Sequence, residues 1–290
     1  MMTQRWLAAG ILSLGLYAAV AAPPKRIVSI APSATEILYG VGAFDRVVAV
    51  SEFDTYPPAV KLLPRVGGWH TPNLERLAAL RPDLIVMTEA QAAFVLDQLR
   101  QMGIPALVTK SQSVEDAFNA ITAIGQATGK EREAAQLSAA TRSALDRVRA
   151  RARNLPHPTV LCVVDRTPGT LRDLYATARG SFLTELLETA GSKVIAAPDR
   201  AGYGKISKET VVAMNPDIIL DMAHGSQSKS DAELKAAWRE LPEIRAVRSG
   251  RVYEVKDEFV PHASQFIART VVLFARLLHP EVPAGEWEAR

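Results

Sequence analysis

Apolar and polar positions along the chain predict alternating helices and strands, and two stretches follow one plan. Segments 73–87 (NLERLAALRPDLIVM) and 207–221 (SKETVVAMNPDIILD) each read as a short helix, a Pro-Asp pair and an apolar run. They match at Glu75/Glu209, Ala79/Ala213, Pro82/Pro216, Asp83/Asp217 and Ile85/Ile219. Apolar runs without alternation are typical of parallel strands covered on both faces. Two copies are too few for a solenoid, so we interpret them as units of two similar α/β lobes.

Polar residues predict where several helices begin. Thr71 and Ser207 are placed to cap the two repeat helices, and the proline of each repeat pushes the preceding residue out of the helical region. In the first lobe, Ser33 and Glu36 have the spacing of a capping box, which predicts a helix over PSATEILYG.

The remaining pattern predicts how the lobes are joined. Strand-like runs alternate with helices over 23–128 and again over 156–290, whereas 129–155 carries one apolar stripe at helical spacing. Its members are Ala134, Leu137, Thr141, Leu145, Val148 and Ala152. A helix of about 24 residues is roughly 36 Å long, enough to cross between lobes. We therefore expect an α/β fold with two similar lobes of mostly parallel sheet flanked by helices, one long connecting helix and a ligand cleft between the lobes.

Composition and the first residues limit the class of protein. The 290-residue chain is 48% apolar and 22% charged with a net charge of +3, which lacks the strong basic excess of nucleic-acid-binding proteins. Arg5, the apolar run after it and the small residues up to Ala22 predict a cleavable signal peptide over 1–22, hence export to the periplasm. The alternative is a membrane anchor, but the run is shorter than the ~20 residues that span a bilayer.

Reactive and metal-binding motifs are scarce in this sequence. The single cysteine, Cys162, lies in an apolar strand-like run and is expected to be a buried small side chain. The five histidines form no H-E-x-x-H motif, so we expect no bare metal site and no intrinsic cofactor. Without a G-x-S-x-G motif, a P-loop or a G-x-G-x-x-G loop, an enzyme is not indicated.

Aromatic residues on glycine- and proline-rich loops indicate a flat, partly apolar ligand instead. The candidates are Tyr56, Trp69, Tyr175, Tyr203 and Phe259, each of which could alternatively serve only packing. His70, beside Trp69, could coordinate a metal already held in a macrocycle, or could simply form a polar pocket wall.

Glu75 and Glu209 occupy equivalent first-turn positions of the two repeat helices. A favourable interaction with the helix dipole could account for both. Their equivalence also suggests that each lobe presents one exposed carboxylate, suited to bind an arginine of a partner with two-fold symmetry.

These segments together resemble a known family, the substrate-binding proteins of bacterial ABC importers for cobalamin, heme and ferric siderophores. The similarity covers almost all of the chain after 1–22, through PSATE, DTYPP, WHTPNLERLAALRPDLIV, GSFLTELLETAG, YGKISKETVVAMNPDIIL and GRVYEV. It implies two lobes joined by a rigid helix, with a small hinge motion.

Within the family, DTYPP and GGWHTPNLER are most similar to the cobalamin-binding members, which implies that Tyr56 and Trp69 line a corrinoid pocket. Tyr203 stands where a pocket tryptophan is usual, and the loop KDEFVPHAS contributes Asp257 and Phe259 to the expected site. The resemblance also implies that Glu75 and Glu209 form salt bridges to a permease dimer.

The expected function is therefore periplasmic capture of a corrinoid, with cobalamin as the first candidate, and its delivery to an ABC transporter. One alternative is a carrier of heme or a ferric siderophore, which a basic cleft would favour. A secreted metal-chelate enzyme or sensor is another, which turnover of the ligand would reveal.

Overall fold

The computed structural model describes residues 22–68, 71–195, 202–222 and 231–288, with the backbone alone at 231–233. Trp69, His70 and nearly all of the predicted signal peptide lie outside these ranges. Within them, no helix combines the length and apolar character needed to cross a bilayer.

The N-terminal lobe is a four-stranded parallel sheet in the order β2-β1-β3-β4. Helices cover both faces, and β3 is buried along its whole length, as its unbroken apolar pattern predicts. Its elements are β1 (Ile27–Ser29), α1 (Pro32–Gly40), β2 (Val47–Val50), α2 (Leu74–Ala79), β3 (Leu84–Thr88), α3 (Glu89–Gln101), β4 (Ala106–Thr109) and α4 (Val114–Thr128).

A single long helix, α5 (Glu131–Ala152), leads from this lobe to the next. Its 22 residues correspond to roughly 33 Å. Five members of the predicted stripe are buried and Leu137 packs against the core at its edge.

The C-terminal lobe is a mixed sheet in the order β10-β9-β5-β6-β8, with β7 also pairing with β5. Strands β5, β7, β9 and β10 are parallel, whereas β6 and β8 form antiparallel pairs. The elements are β5 (Thr159–Asp165), β6 (Tyr175–Thr177), α6 (Phe182–Thr189), β7 (Lys193–Val194), β8 (Tyr203–Lys205), α7 (Lys208–Met214), β9 (Ile218–Asp221), α8 (Asp231–Trp238), α9 (Arg245–Arg248), β10 (Val252–Glu254) and α10 (Ile267–Leu278). The predicted two-lobe α/β fold is confirmed.

The two repeat units have the same local geometry. Helices α2 and α7 are each followed by a residue in the left-handed region, Arg81 (φ 46°) and Asn215 (φ 44°), directly before the repeat proline. The left-handed residue turns the chain out of the helix, and the proline cannot extend it.

The aspartates of the two repeats also have the same structural role. Asp83 accepts hydrogen bonds from the backbone N–H groups of Lys25 (2.7 Å) and Arg26 (2.8 Å), which lead into β1. Asp217 accepts one from the N–H of Thr159 (2.9 Å), which opens β5. In each lobe the aspartate therefore fixes the start of the neighbouring strand.

The helix starts were only partly predicted. Ser207 caps α7 by accepting from the N–H of Thr210, as predicted. Thr71 was the wrong choice for α2, because Asn73 is its cap and accepts from the N–H of Arg76 at 2.9 Å. Helix α2 begins at Leu74, so its cap lies two residues after the predicted one.

The predicted capping box at Ser33 and Glu36 is wrong. Helix α1 begins at Pro32, so Ser33 is already inside it, and its N-cap, Ala31, has no capping side chain. Glu36 instead binds His262 of the other lobe, with 2.6 Å between Oε1 and Nδ1. A tertiary contact has taken the carboxylate that the local pattern assigned to the helix end.

One hydrophobic cluster runs through both lobes. It joins Ile27 and Val86 of the first sheet to Leu145 of α5 and to Leu220 and Val271 of the second lobe, all of them buried. Each lobe has a further cluster on its other face. Because the shared core includes the connecting helix, relative motion of the lobes must disturb close packing.

Candidate functional site

Contacts beside the carboxyl end of β4 connect the two lobes. The N–H of Phe182, at the start of α6, donates to the main-chain oxygen of Gln112, which follows β4, at 2.6 Å. The carboxylate of Glu185 on α6 accepts from the N–H of Val114 at the start of α4, at 2.9 Å. Open α/β sheets bind ligands at this edge of the strands, so the space between the lobes is the candidate ligand site.

Tyr56 lies where the lobes meet. Its half-buried ring is 5.3 Å from the ring of Tyr39 in its own lobe and 5.0 Å from that of Phe266 in the other lobe, both edge to face. Burial raises the pKa of the Tyr56 hydroxyl, and the neighbouring Tyr39 adds to the shift. The side chain is therefore a neutral phenol over the physiological pH range.

Phe259 approaches the same seam from the second lobe. Its ring is 6.0 Å from that of Phe266, and the guanidinium of Arg269 lies over both rings, at 5.2 Å and 5.1 Å. The structure thus places Tyr56 and Phe259 each against Phe266. Phe266 and Arg269 were not predicted as site residues, because both belong to a run whose pattern is that of an ordinary amphipathic helix.

Asp257 lies further along this seam. Together with Phe259 it lines a cavity of about 400 Å³ whose other walls include Arg147 of α5 and Arg269 and Val272 of α10. This position is beside the connecting helix.

The remaining tyrosine candidates lie on the antiparallel part of the second sheet. Tyr203 is in β8 and packs against the shared core, and burial raises the pKa of its hydroxyl. Tyr175 is on the adjacent strand β6 with 43% of its surface exposed. Both were predicted to lie on loops, whereas the structure fixes them in strands.

A buried ion pair lies at the carboxyl edge of the second sheet. Arg166 follows β5 and Asp221 ends β9, and Arg166 Nε is 2.7 Å from Asp221 Oδ2. The same oxygen accepts from the indole N–H of Trp238 at 2.8 Å. The positive charge of Arg166 is therefore balanced within the protein.

Two carboxylates at the carboxyl edge of the first sheet each have one oxygen without a hydrogen-bond donor among the described residues. In the described structure, Asp54 Oδ1 and Glu89 Oε1 are buried and have no hydrogen-bond partner. Burial raises the pKa of Asp54, against the opposing effect of its bonds to Ser51. Both oxygens are enclosed by protein atoms, so neither is open to a ligand in this structure.

Among the described residues, no group of histidine, cysteine and carboxylate side chains could hold a metal ion. Cys162 is fully buried, and burial raises its pKa to about 12. The structure thus places this thiol as the small core side chain that was predicted.

Glu75 and Glu209 are the second residues of α2 and α7, and both are exposed. Since each helix runs antiparallel to the strand that follows it, both glutamates lie toward the carboxyl edge of their sheet. Hydrogen bonds from its own backbone N–H and from Ser207 hold the pKa of Glu209 below its usual value. The two side chains are equivalent charged groups, one on each lobe.

A model of the family described as "Periplasmic binding protein" matches residues 27–259. The chain is 33% identical to a Bacillus subtilis protein described as an uncharacterized ABC transporter substrate-binding lipoprotein, over 89% of this chain and 81% of that one. It is 30% identical to the vitamin B12-binding protein of Yersinia pestis, over 82% and 81% of the two chains.

Solved structures with this architecture include the periplasmic vitamin B12-binding protein of Vibrio cholerae (TM-score 0.75, 25% identity, 89% of this chain and 98% of that one). A periplasmic heme-binding protein from Pseudomonas aeruginosa shares the fold (TM-score 0.78, 24% identity, 90% and 94% of the chains).

Proposed function

The chain belongs to the periplasmic binding protein family, and we propose that it captures a corrinoid, with cobalamin as the first candidate, and delivers it to an ABC importer. Binding occurs between the lobes, and the protein performs no reaction on its ligand. We place it in the periplasm after removal of residues 1–22. The relatives named as ABC transporter substrate-binding and vitamin B12-binding proteins support this assignment.

The charge of the candidate site is the observation that favours a corrinoid. Where the structure describes the strand ends and the seam, carboxylates outnumber cations: Glu52, Asp54, Glu89, Asp165, Asp221, Glu254, Asp257 and Glu258 against Arg65, Lys110, Arg166, Lys256 and Arg269. An anionic chelate would be repelled by such an edge. The amide side chains of a corrinoid are neutral, and their N–H groups can donate to exposed carboxylates such as Glu52 and Glu258.

Tyr56 supports a macrocycle as the ligand. The Tyr56 ring packs edge to face against Tyr39 and Phe266, so it belongs to an aromatic cluster that joins the two lobes. A neutral aromatic ring is suited to cover the apolar edge of a macrocycle. We assign this role to Tyr56 together with Trp69, and keep His70, Tyr203, Asp257 and Phe259 as further proposed contacts.

Delivery would use the two equivalent glutamates. Glu75 and Glu209 present one exposed carboxylate on each lobe, near the carboxyl edge. Carboxylates form strong bidentate pairs with arginine, and two permease subunits related by a two-fold axis would offer two such partners.

Equilibrium binding of two forms of one macrocycle tests the ligand class. We expect cobinamide, which keeps its amides, to bind one to one, and the same corrin ring with amides hydrolysed to carboxylates to bind at least about tenfold more weakly. In Glu52→Gln the preference should shrink, because one exposed carboxylate of this edge becomes a neutral amide. Equal affinity for both forms would contradict the charge argument.

A further inference from the structure

The opposite edge of the second sheet carries an open hollow of about 460 Å³, which we call the arginine hollow. It is lined by Pro158, Asp217, Arg245, Arg248, Ser249 and Arg251. These residues precede β5, β9 and β10 or belong to α9, so they lie at the amino ends of the strands. The candidate ligand site and the docking glutamates are at the other edge.

Each of the three guanidinium groups is fixed by an acceptor of the protein. Arg245 Nη1 is 2.9 Å from Asp217 Oδ1, and its Nη2 donates to the main-chain oxygen of Asn215 at 3.1 Å. Arg251 donates to the main-chain oxygen of Leu278 at 2.8 Å. Arg248 donates to a main-chain oxygen of the loop before α9. The groups are thus held in place without a ligand.

Most of their hydrogen-bonding capacity remains unused. A guanidinium has five N–H donors, and these contacts take two from Arg245 and one from each of the others. Arg251 Nε is buried without an acceptor among the described residues, so the donors open to a ligand are chiefly those of the exposed Arg245 and Arg248. The surplus donors require an acceptor from outside, either water or a ligand.

The charge of the lining is unbalanced. Asp217 is the one carboxylate among the lining residues, and it already accepts from the N–H and the hydroxyl of Thr159 besides pairing with Arg245. Three arginines against one carboxylate leave an excess of two positive charges.

In the first lobe, a single arginine closes the end of the repeat helix. Its aspartate, Asp83, also fixes a strand start, and one arginine, Arg26, closes the end of α2 by donating to the main-chain oxygen of Leu80 at 2.7 Å. Arg245 does the equivalent work in the second lobe. Closing the helix end therefore does not account for the presence of Arg248 in the hollow.

We propose that the arginine hollow binds a phosphate-type oxyanion, at a site separate from the ligand cleft. A tetrahedral anion has enough acceptor oxygens to take donors from two or three fixed guanidiniums at once, and such charge-assisted bonds are the strong ones. The open form of the hollow admits either a free phosphate or the phosphate of a larger molecule.

Calorimetric titration with inorganic phosphate, at ionic strength held constant with chloride, tests this proposal. We expect saturable one-site binding that weakens at least about tenfold in Arg248→Gln, since hydrogen bonds between charged groups are lost. Arg100→Gln is the matched control, because Arg100 is exposed on α3 of the first lobe and forms an exposed ion pair with Asp97. Saturating cyanocobalamin should leave the phosphate affinity unchanged.

Absence of saturable binding would overturn the proposal, as would an equal loss in Arg100→Gln. Arg251→Lys provides a second variant, which keeps the positive charge but loses the planar guanidinium donors. Circular dichroism checks that it is folded. Phosphate affinity equal to that of the wild type would show that the guanidinium of Arg251 does not bind the anion. Retention on phosphatidylglycerol vesicles that free phosphate reverses would identify a lipid headgroup as the source. Phosphate binding without such retention would identify the free anion.

Discussion

Glu36 and His262 are 226 residues apart in the sequence, yet Glu36 Oε1 lies 2.6 Å from His262 Nδ1. The other carboxylate oxygen accepts from the hydroxyl of Ser264, and the main-chain oxygen of Glu36 accepts from the Gln265 amide at 2.8 Å. Only 3% of Glu36 is exposed. One buried carboxylate therefore joins the first helix of the N-terminal lobe to the loop before α10.

We expect Glu36→Gln to lower the free energy of unfolding by about 1–3 kcal/mol, because an amide nitrogen cannot accept, so one of the two side-chain hydrogen bonds must reverse direction or be lost. Urea denaturation measures the loss. Glu115→Gln is the control, since Glu115 pairs with Arg142 while 61% of its side chain is exposed, and should cost less than about 0.5 kcal/mol. Equal losses in the two variants would show that the Glu36 contact contributes no more to the free energy of unfolding than an exposed ion pair.

The shared core predicts a small hinge. Because one apolar cluster includes both lobes and α5, closure by tens of degrees would require core repacking. We expect distances between spin labels on α3 and α8 to change by no more than about 2 Å when cyanocobalamin binds. A change several times larger would mean that the lobes move independently.

Asp217 predicts a pH dependence of stability. Burial acts to raise its pKa, but the bonds from Thr159 and the charges of Arg245 and Arg251 outweigh it, so the folded pKa is lower than the ordinary 3.8. A lowered folded pKa gives stability that is complete above the unfolded value and is lost as the pH falls through the folded value.

Asp217→Asn should therefore be less stable than the wild type by about 1 kcal/mol at pH 7. The difference should shrink as the pH falls below 3.8. Thermal unfolding of both proteins from pH 7 to pH 2.5 measures it, with Asp97→Asn on the exposed face of α3 as the control. A difference that stays constant to the lowest pH would contradict the assigned charge interactions.

The docking proposal predicts a separation of binding from transport. Glu75→Ala combined with Glu209→Ala should leave corrinoid affinity nearly unchanged but abolish uptake by the reconstituted importer, since both charged contacts are lost. Glu131→Ala, at an exposed first-turn position of α5, should transport normally. An equal loss of ligand affinity in the double variant would place the glutamates in the pocket.

Features carried by local pattern could be predicted from the sequence. The repeat units, the buried strands β3 and β9 and the stripe along α5 all follow from periodicity and from the prolines. The cap at Ser207 was predicted because the partner N–H lies three residues away in the sequence.

Features that depend on long-range contacts could not. Glu36 was assigned to a capping box because nothing in PSATEILYG shows that His262 will reach it. The three-residue strands β6 and β8 are too short for their apolar alternation to stand out from a loop. Arg166 pairs with Asp221, and this ion pair neutralises one cation of the site. The two residues lie at the ends of β5 and β9, which are brought together only by the order of strands in the sheet.

The most direct test of the account is calorimetric titration of the mature protein with cyanocobalamin and with hemin, each repeated on Trp69→Ala and Tyr56→Ala. We predict one-to-one binding of cyanocobalamin that weakens at least about tenfold in each variant, because burial of a large aromatic surface is lost. Hemin should bind more weakly than cyanocobalamin. Tight hemin binding with no measurable affinity for cyanocobalamin would contradict the proposed ligand.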